Sequence, residues 1–306
     1  MYDIIVIGAG PAGFTAAIYA RRAEKSVLII EKGSFGGQIT HSPRVENYPG
    51  FPVLSGIELG DRLFEHATSL GADIELDTVT GIRQGESSLT VVCEGGEFSA
   101  LSVIIATGTR HRALGIEGEE DFIGEGISYC AVCDGAFYKG KSVAVIGGGN
   151  SALQEAVLLS ESCESVTLVQ NLPYLTGESS LVAILDGRDN VSVITSATVK
   201  SILSEGGEFR GITLNTKEGE RELAVDGMFV AIGQIPECEA FSGVVSLSEH
   251  GYIEAGEDCI PASAIRGVFV AGDCRTKSVR QVTTATSDGA IAALAAVRYI
   301  DLEVHR

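Results

Sequence analysis

Cys130-Ala131-Val132-Cys133-Asp134 holds the residue types for reversible dithiol–disulfide exchange. Two cysteines three positions apart fall within the Cα separation of about 4.4–6.8 Å that a disulfide tolerates. If the pair opens a helix, the helix N-terminus lowers a thiol pKa and supplies nucleophilic thiolate. Asp134, directly after the second cysteine, is placed to deliver or take the proton that each disulfide cleavage requires. A zinc knuckle is the competing reading, and it needs a second pair of ligands. Cys93, Cys163, Cys238, Cys259 and Cys274 stand singly, and His41, His66, His111, His250 and His305 show no ligand spacing. A lone CxxC is a weak signal, so its surroundings must decide.

The elements around it need room. The chain has 306 residues, enough for two ordinary domains, and 45% hydrophobic content gives each a core. Its 38 glycines are too many for a helical bundle and imply many tight strand-to-helix turns. No apolar run approaches the ~18 residues of a membrane span. Tyr2–Ile7 follows Met1 directly, leaving no room for a signal peptide. Seven scattered cysteines, an odd number, fit a reducing cytoplasm. A net charge of −19 disfavours nucleic acid and anionic membrane as partners.

The apolar run Asp3–Ile7 leads into Gly8-Ala9-Gly10-Pro11-Ala12-Gly13, a helical pattern over Phe14–Glu24, and a second apolar run ending at Glu31. In this strand–turn–helix–strand context the glycines let backbone approach a pyrophosphate, the helix N-terminus attracts its charge, and Glu31 accepts from ribose hydroxyls. Residues 58–70 read as an amphipathic helix, and Ile74–Leu76, Leu89–Cys93 and Ser102–Ala106 as strands. The unit then repeats: Val143–Ile146 and Gly147-Gly148-Gly149-Asn150-Ser151-Ala152 match Ile4–Gly13 without a gap, and Thr167–Gln170 falls in register with Leu28–Glu31. β-rich stretches follow over Val191–Val199, Phe209–Thr216 and Gly227–Ile232, and Gly233–Pro236 reads as a turn. Gly267–Asp273 is a strand ending where an aspartate can bind ribityl hydroxyls, and Thr284–Tyr299 an alanine-rich helix. The expected architecture is α/β, with two Rossmann-like dinucleotide-binding domains of three layers, the second inserted into the first. Residues 1–112 with 241–306 form the first domain and 113–240 the second, with Arg110-His111-Arg112 as a hinge. The Glu117–Asp121 charges read as a solvated turn.

With these residues in view, the chain resembles the low-molecular-weight thioredoxin reductases among the flavoprotein disulfide reductases. The resemblance rests on Gly8–Gly13, Gly37-Gln38, Glu46–Gly50, Ala106-Thr107-Gly108, Cys130–Asp134, Gly147–Ala152, Gly272-Asp273 and Arg280-Gln281-Val282. It implies FAD in the first domain, a nicotinamide cofactor in the second, a homodimer, and a thioredoxin-like partner. By motif, Cys133 would face the flavin, Cys130 would attack the partner's disulfide, and Asp134 would be the acid/base. Gly8, Gly10, Pro11, Ala12, Gly13, Glu31, Lys32, Gly37, Gln38, Asn47, Ala106, Thr107, Gly108, Gly272, Asp273, Arg280, Gln281 and Val282 would hold FAD. Gly147, Gly149, Asn150, Ser151 and Gln170 would line the nicotinamide side.

One departure stands out. Most of the family places a cluster of His and Arg after the second domain's second strand to hold the 2′-phosphate of NADPH, where this chain reads Val169-Gln170-Asn171-Leu172-Pro173-Tyr174-Leu175. No Lys or Arg occurs between Lys141 and Arg188. A 2′-phosphate there loses several charge-assisted hydrogen bonds of ~1.5–3 kcal/mol each. NADPH is therefore disfavoured, NADH is compatible through the neutral Gln170 amide, and ferredoxin is an alternative donor. Rival readings are a flavin-dependent dithiol oxidase and a flavin-binding regulatory module, the latter hard to reconcile with the intact Cys130, Cys133 and Asp134.

Overall fold

Tyr2–Ile7 (β1) is apolar on both faces because it lies in the middle of a parallel sheet, paired with Val27–Glu31 (β2) on one side. Pro11–Arg22 (α1) makes the crossover, and Gly56–Ser69 (α2) starts at Ser55, whose hydroxyl accepts from the Glu58 N–H at 3.0 Å. Asp73–Leu76 (β3) extends the sheet beyond β2. Val79–Gln84 (β4) and Leu89–Cys93 (β5) form an antiparallel pair that leads into Glu97–Ile105 (β6), which returns beside β1. Thr109–His111 (β7) follows.

Ile127–Ser128 (β8) and the single turn Ala131–Asp134 (α3) precede the second parallel sheet. Ser142–Ile146 (β9), Asn150–Ser160 (α4) and Ser165–Gln170 (β10) repeat the first strand–helix–strand unit. Ser179–Asp186 (α5) and Val191–Thr195 (β11) continue it. An antiparallel layer, Thr198–Glu205 (β12), Glu208–Thr216 (β13) and Gly219–Ala224 (β14), comes before Gly227–Val230 (β15). The parallel order is β11-β10-β9-β15-β8.

Gln234–Pro236 (β16) pairs with β7, Val268–Val270 (β17) adds to the first sheet beside β6, and Val282–Tyr299 (α6) packs against α1. The first sheet reads β3-β2-β1-β6-β5-β4. Ile4, Val6 and Ile29 face a layer of α1 and α6 built on Phe14, Ala16, Ala17, Ala292 and Ala296. Ile5, Ile7, Leu28 and Val103 face the opposite layer of Ile82, Val91, Phe241 and Ile253. This gives the three-layer α/β arrangement expected. Residues 1–42, 44–262 and 265–304 are described in this computed structural model, so His305 lies outside them. The chain divides into one unit of Met1–Arg110 with Ile235–Arg306 and a second of His111–Gln234.

Three readings change. Residues 234–236, expected as a turn, are strand. Pro236 is tolerated there because the ribbon has only two strands, each of them an edge. Val191–Val199 is two strands, broken at Ser196, whose φ of +54° turns the chain. β4 and β14 carry no clear apolar alternation, Gly219–Ala224 being almost wholly exposed, so pattern gave no sign of them.

Candidate active site

The two cysteines are joined, Cys130 to Cys133, with Cα atoms 5.3 Å apart. Cys130 is the N-cap of α3, and its sulfur accepts from the Cys133 N–H at 3.2 Å. The helix expected here is only one turn long. Its influence is therefore that of individual N–H groups, because the macrodipole needs a longer run. Ser128, buried at the end of β8, ties the turn together. Its hydroxyl donates to Asp134 Oδ2 at 2.6 Å and accepts from the Cys130 N–H at 3.1 Å. Asp134 is thereby fixed within the redox turn. Val132, between the cysteines, is exposed.

The first glycine turn is a backbone cradle. A side chain at Gly8 (φ +107°) would put its Cβ 2.4 Å from the Ala106 carbonyl oxygen, and one at Gly13 would fall 1.9 Å from the Gly8 oxygen. α1 opens at Gly10 with Pro11 in the first helical position and no side chain capping its N–H groups. Glu31 accepts from the Ala9 N–H at 2.8 Å and the Gly33 N–H at 2.9 Å. Its two oxygens have lone pairs left for a ribose diol. Gly37 packs close to Gly10, with Gln38 exposed beside it, and Asn47 Nδ2 donates to Gln281 Oε1 at 3.3 Å. Gln281 caps α6, whose first residue is Val282. Gly108 takes a φ of +67°, and Arg280 lies over the Tyr252 ring at 4.3 Å. Lys32 instead pairs with Glu237 at 2.7 Å.

Among the described residues of this unit two buried side-chain oxygens lack a well-formed hydrogen bond, Thr107 Oγ1, which has only the Cys238 and Cys274 thiols beside it, and Asp273 Oδ1. Buried groups of this kind are costly unless something completes them. Burial pushes the Asp273 carboxyl up, opposed by Lys277, whose ammonium stands 3.8 Å away. Open N–H groups, a ribose acceptor and an orphaned carboxylate oxygen together fit the pyrophosphate, ribose and ribityl groups of FAD. Beneath Asp273 lies a network absent from the motif reading. Asp288, 4% exposed on α6, takes both arms of Arg275 at 2.9 Å, Lys277 at 2.9 Å and the Gly272 N–H at 3.1 Å. Burial raises its carboxyl, but the Arg275 and Lys277 bonds outweigh that and leave it below its ordinary value.

The second glycine turn has the same backbone and different surroundings. Gly147 has a φ of +136°, and α4 opens at Gly149 without a side-chain cap. Gln170 is buried and committed locally: Nε2 donates to the Tyr174 carbonyl at 3.4 Å and Oε1 accepts from the Asn171 N–H at 3.1 Å. A Cβ on Gly148 would fall 2.4 Å from Gln170 Nε2. The following loop folds back on the turn, with Thr176 and Gly177 donating to the Gly148 carbonyl at 2.7 and 2.9 Å. Asn150 is held by Glu178 through both ends of its amide, at 3.1 and 2.7 Å, which brings a carboxylate to the start of α4. Ser151 is exposed.

Glu119 belongs to the charged run expected to be a solvated turn. It is 3% exposed, accepting from the Leu114 and Gly115 N–H groups and, at 2.8 Å, from the Tyr129 hydroxyl next to Cys130. Spacing could not reveal this, because a buried acid looks like any other in a charged run. Glu155 on α4 was likewise unmarked. Among the described residues no cluster of three or more His, Cys, Asp or Glu is placed to hold a metal ion, and no helix is long and apolar enough to cross a membrane.

The sequence profile of the pyridine nucleotide-disulphide oxidoreductase family matches residues 2–289. A thioredoxin reductase of Bacillus subtilis (strain 168) is 42% identical over 303 residues, 98% of this chain and 95% of that protein. A 34.2 kDa protein in the rubredoxin operon of Clostridium pasteurianum is 41% identical over 300 residues, 97% of each chain. The crystal structure of thioredoxin reductase from Streptococcus pyogenes MGAS5005 is similar with a TM-score of 0.93 at 36% identity, over 98% of both chains.

Proposed function

The chain belongs to the pyridine nucleotide-disulphide oxidoreductase family, and from that premise we propose that it is an FAD-dependent thioredoxin-disulfide reductase. The observation that carries the reading is the closed Cys130–Cys133 pair with Asp134 hydrogen-bonded into the same turn. The Gly8–Gly13 turn, Glu31, Thr107 and Asp273 would hold FAD, which when bound would supply two-electron redox chemistry. In the reduced pair Cys130 attacks one sulfur of the acceptor disulfide. A Cys130–acceptor bond forms, the acceptor S–S bond breaks, and the released thiolate takes a proton from Asp134. Cys133 then displaces the second acceptor thiol from Cys130 and re-forms the Cys130–Cys133 bond, so two electrons and two protons leave with the acceptor. A thioredoxin-like protein is the acceptor, the enzyme works as a homodimer, and the five buried cysteines that remain thiols suit a cytoplasmic setting. Cys133→Ser should abolish reductase turnover while flavin stays bound; undiminished turnover would rule the scheme out.

NADPH is a poor donor, since the Gln170 loop offers no cation to a 2′-phosphate. NADH needs less, yet Gln170 is spent on its own loop. A second reading, that reduction comes from a protein donor such as ferredoxin, draws support from Glu178, whose carboxylate stands at the start of α4 where a pyrophosphate would bind. Anaerobic titration with NADH and NADPH separately, followed by flavin absorbance, tests this. Bleaching by NADH alone identifies an NADH-linked enzyme. Bleaching by neither, with dithionite still effective, means that the second unit has lost its nucleotide and turns the search to ferredoxin or another protein donor.

A further inference from the structure

Glu155 is the one titratable residue on α4, and it points toward the redox turn. α3 is pressed onto α4 so closely that a Cβ on Gly135 would meet Leu159 at 3.1 Å. Within that contact the Glu155 carboxyl bonds the Ala131 N–H, the amide of the peptide that joins Cys130 to Ala131. Among the described residues its Oε2 is buried without a hydrogen-bond partner. The elements packed against α4 bring titratable groups of one kind only. α3 brings Cys130, Cys133 and Asp134, the turn after it Tyr138, and α5 Asp186, while β9 and β10 bring none. No Lys or Arg lies on any of them. A carboxylate here has one amide to steady it and no cation, so its neutral form is favoured.

We infer that Glu155 is a positioning residue whose proton is linked to the redox state of Cys130 and Cys133: neutral, it lets a thiolate form beside it, and ionised, it opposes one. This deepens the reading of the pair as redox-active and rests on it. Reducing the disulfide breaks the S–S bond with two electrons, and the two sulfurs take up two protons or keep one charge as thiolate. A thiolate beside Glu155 makes its ionisation harder still. Where Glu155 is ionised in the disulfide form, reduction therefore draws one further proton from solvent onto its carboxyl. Burial, partly offset by the Ala131 amide, moves that carboxyl up to about 8, so the extra uptake belongs to the alkaline side of neutrality. At neutral pH Glu155 is mostly protonated in both forms and leaves Cys130 free to ionise.

The test is the potential of the pair in the holoenzyme, equilibrated in dithiothreitol or glutathione redox buffers from pH 6 to 9.5 and trapped by alkylation. The five other cysteines are buried, so mass shifts in the native protein report Cys130 and Cys133. Where Cys130 ionises the sulfurs take up one proton, so with the further proton on Glu155 the wild type should hold near two protons per two electrons above about pH 8. Glu155→Gln keeps an acceptor for the Ala131 N–H and should fall toward one proton per two electrons there while matching the wild type below pH 7. Superimposable curves for the two proteins across the whole range would overturn the inference and leave the redox pair standing. A pair that no buffer reduces would overturn the redox reading itself. Should Glu155→Gln not fold, reduced-minus-oxidised infrared spectra of the wild type at pH 8.5 decide: a protonated carboxyl band must grow on reduction, and its absence refutes the linkage.

Discussion

The two glycine turns are copies in backbone and differ in what packs against them. Gly8 and Gly147 both take a left-handed φ, and a Cβ on either would strike a carbonyl across the turn, Ala106 at 2.4 Å or Ala231 at 2.5 Å. Gly10 and Gly149 open their helices with nearly the same dihedrals, φ −86° and −87°, and neither helix has a side-chain cap. The difference begins at the end of the next strand. Glu31 holds the first turn with acceptor capacity to spare, whereas Gln170 is folded over Gly148 and bonded to its own loop. Glu178 then sets a negative charge at the start of the second helix. A glycine spacing thus specifies a turn, and the groups packed on that turn specify what it can hold.

The most drastic way to break the comparison is Gly8→Ala, which should yield protein without flavin, read from the absorbance of the purified chain. Gly147→Ala should keep its flavin, and equal loss in both would refute the assignment of the two turns. Next comes the buttress under the first turn. Asp288→Asn leaves the buried Arg275 and Lys277 without their anion and should cost roughly 3–5 kcal/mol in denaturant unfolding. Because Asp288 sits below its ordinary value in the folded state, its contribution is complete above about pH 4 and is lost as pH falls through the folded value. The variant should lack that acid-side dependence.

Glu31→Gln sharpens the contrast from the other side. Losing a charge-assisted hydrogen bond of about 1.5–3 kcal/mol should weaken flavin binding roughly 10- to 150-fold by equilibrium dialysis. The matching change in the second turn, Gln170→Ala, should be the mildest. Flavin bleaching by NADH should change by less than about threefold, or about 0.7 kcal/mol. A larger loss would make Gln170 a working ribose contact after all.

The chemistry-bearing residues that could be read in advance are those whose roles are local. Cys130, Cys133 and Asp134 lie within one turn of chain, and the Gly8–Gly13 and Gly147–Ala152 turns work through backbone that only glycine permits at fixed spacing. The family match extends that local legibility to nearly the whole chain. Gln170 was visible as a departure, but not the direction its amide takes. Glu119, Glu155 and Asp288 were illegible, because burial beside a particular N–H or guanidinium comes from elements that meet only on folding. Sequence determined the redox pair, the paired dinucleotide turns and the missing cations, all short-range properties of residue type and spacing. Tertiary structure alone decided which carboxylates are buried, which acceptors are left over at Thr107 and Asp273, and that the second turn is covered by its own loop. Those depend on contacts between distant segments, and the cost of desolvating a charge is set there.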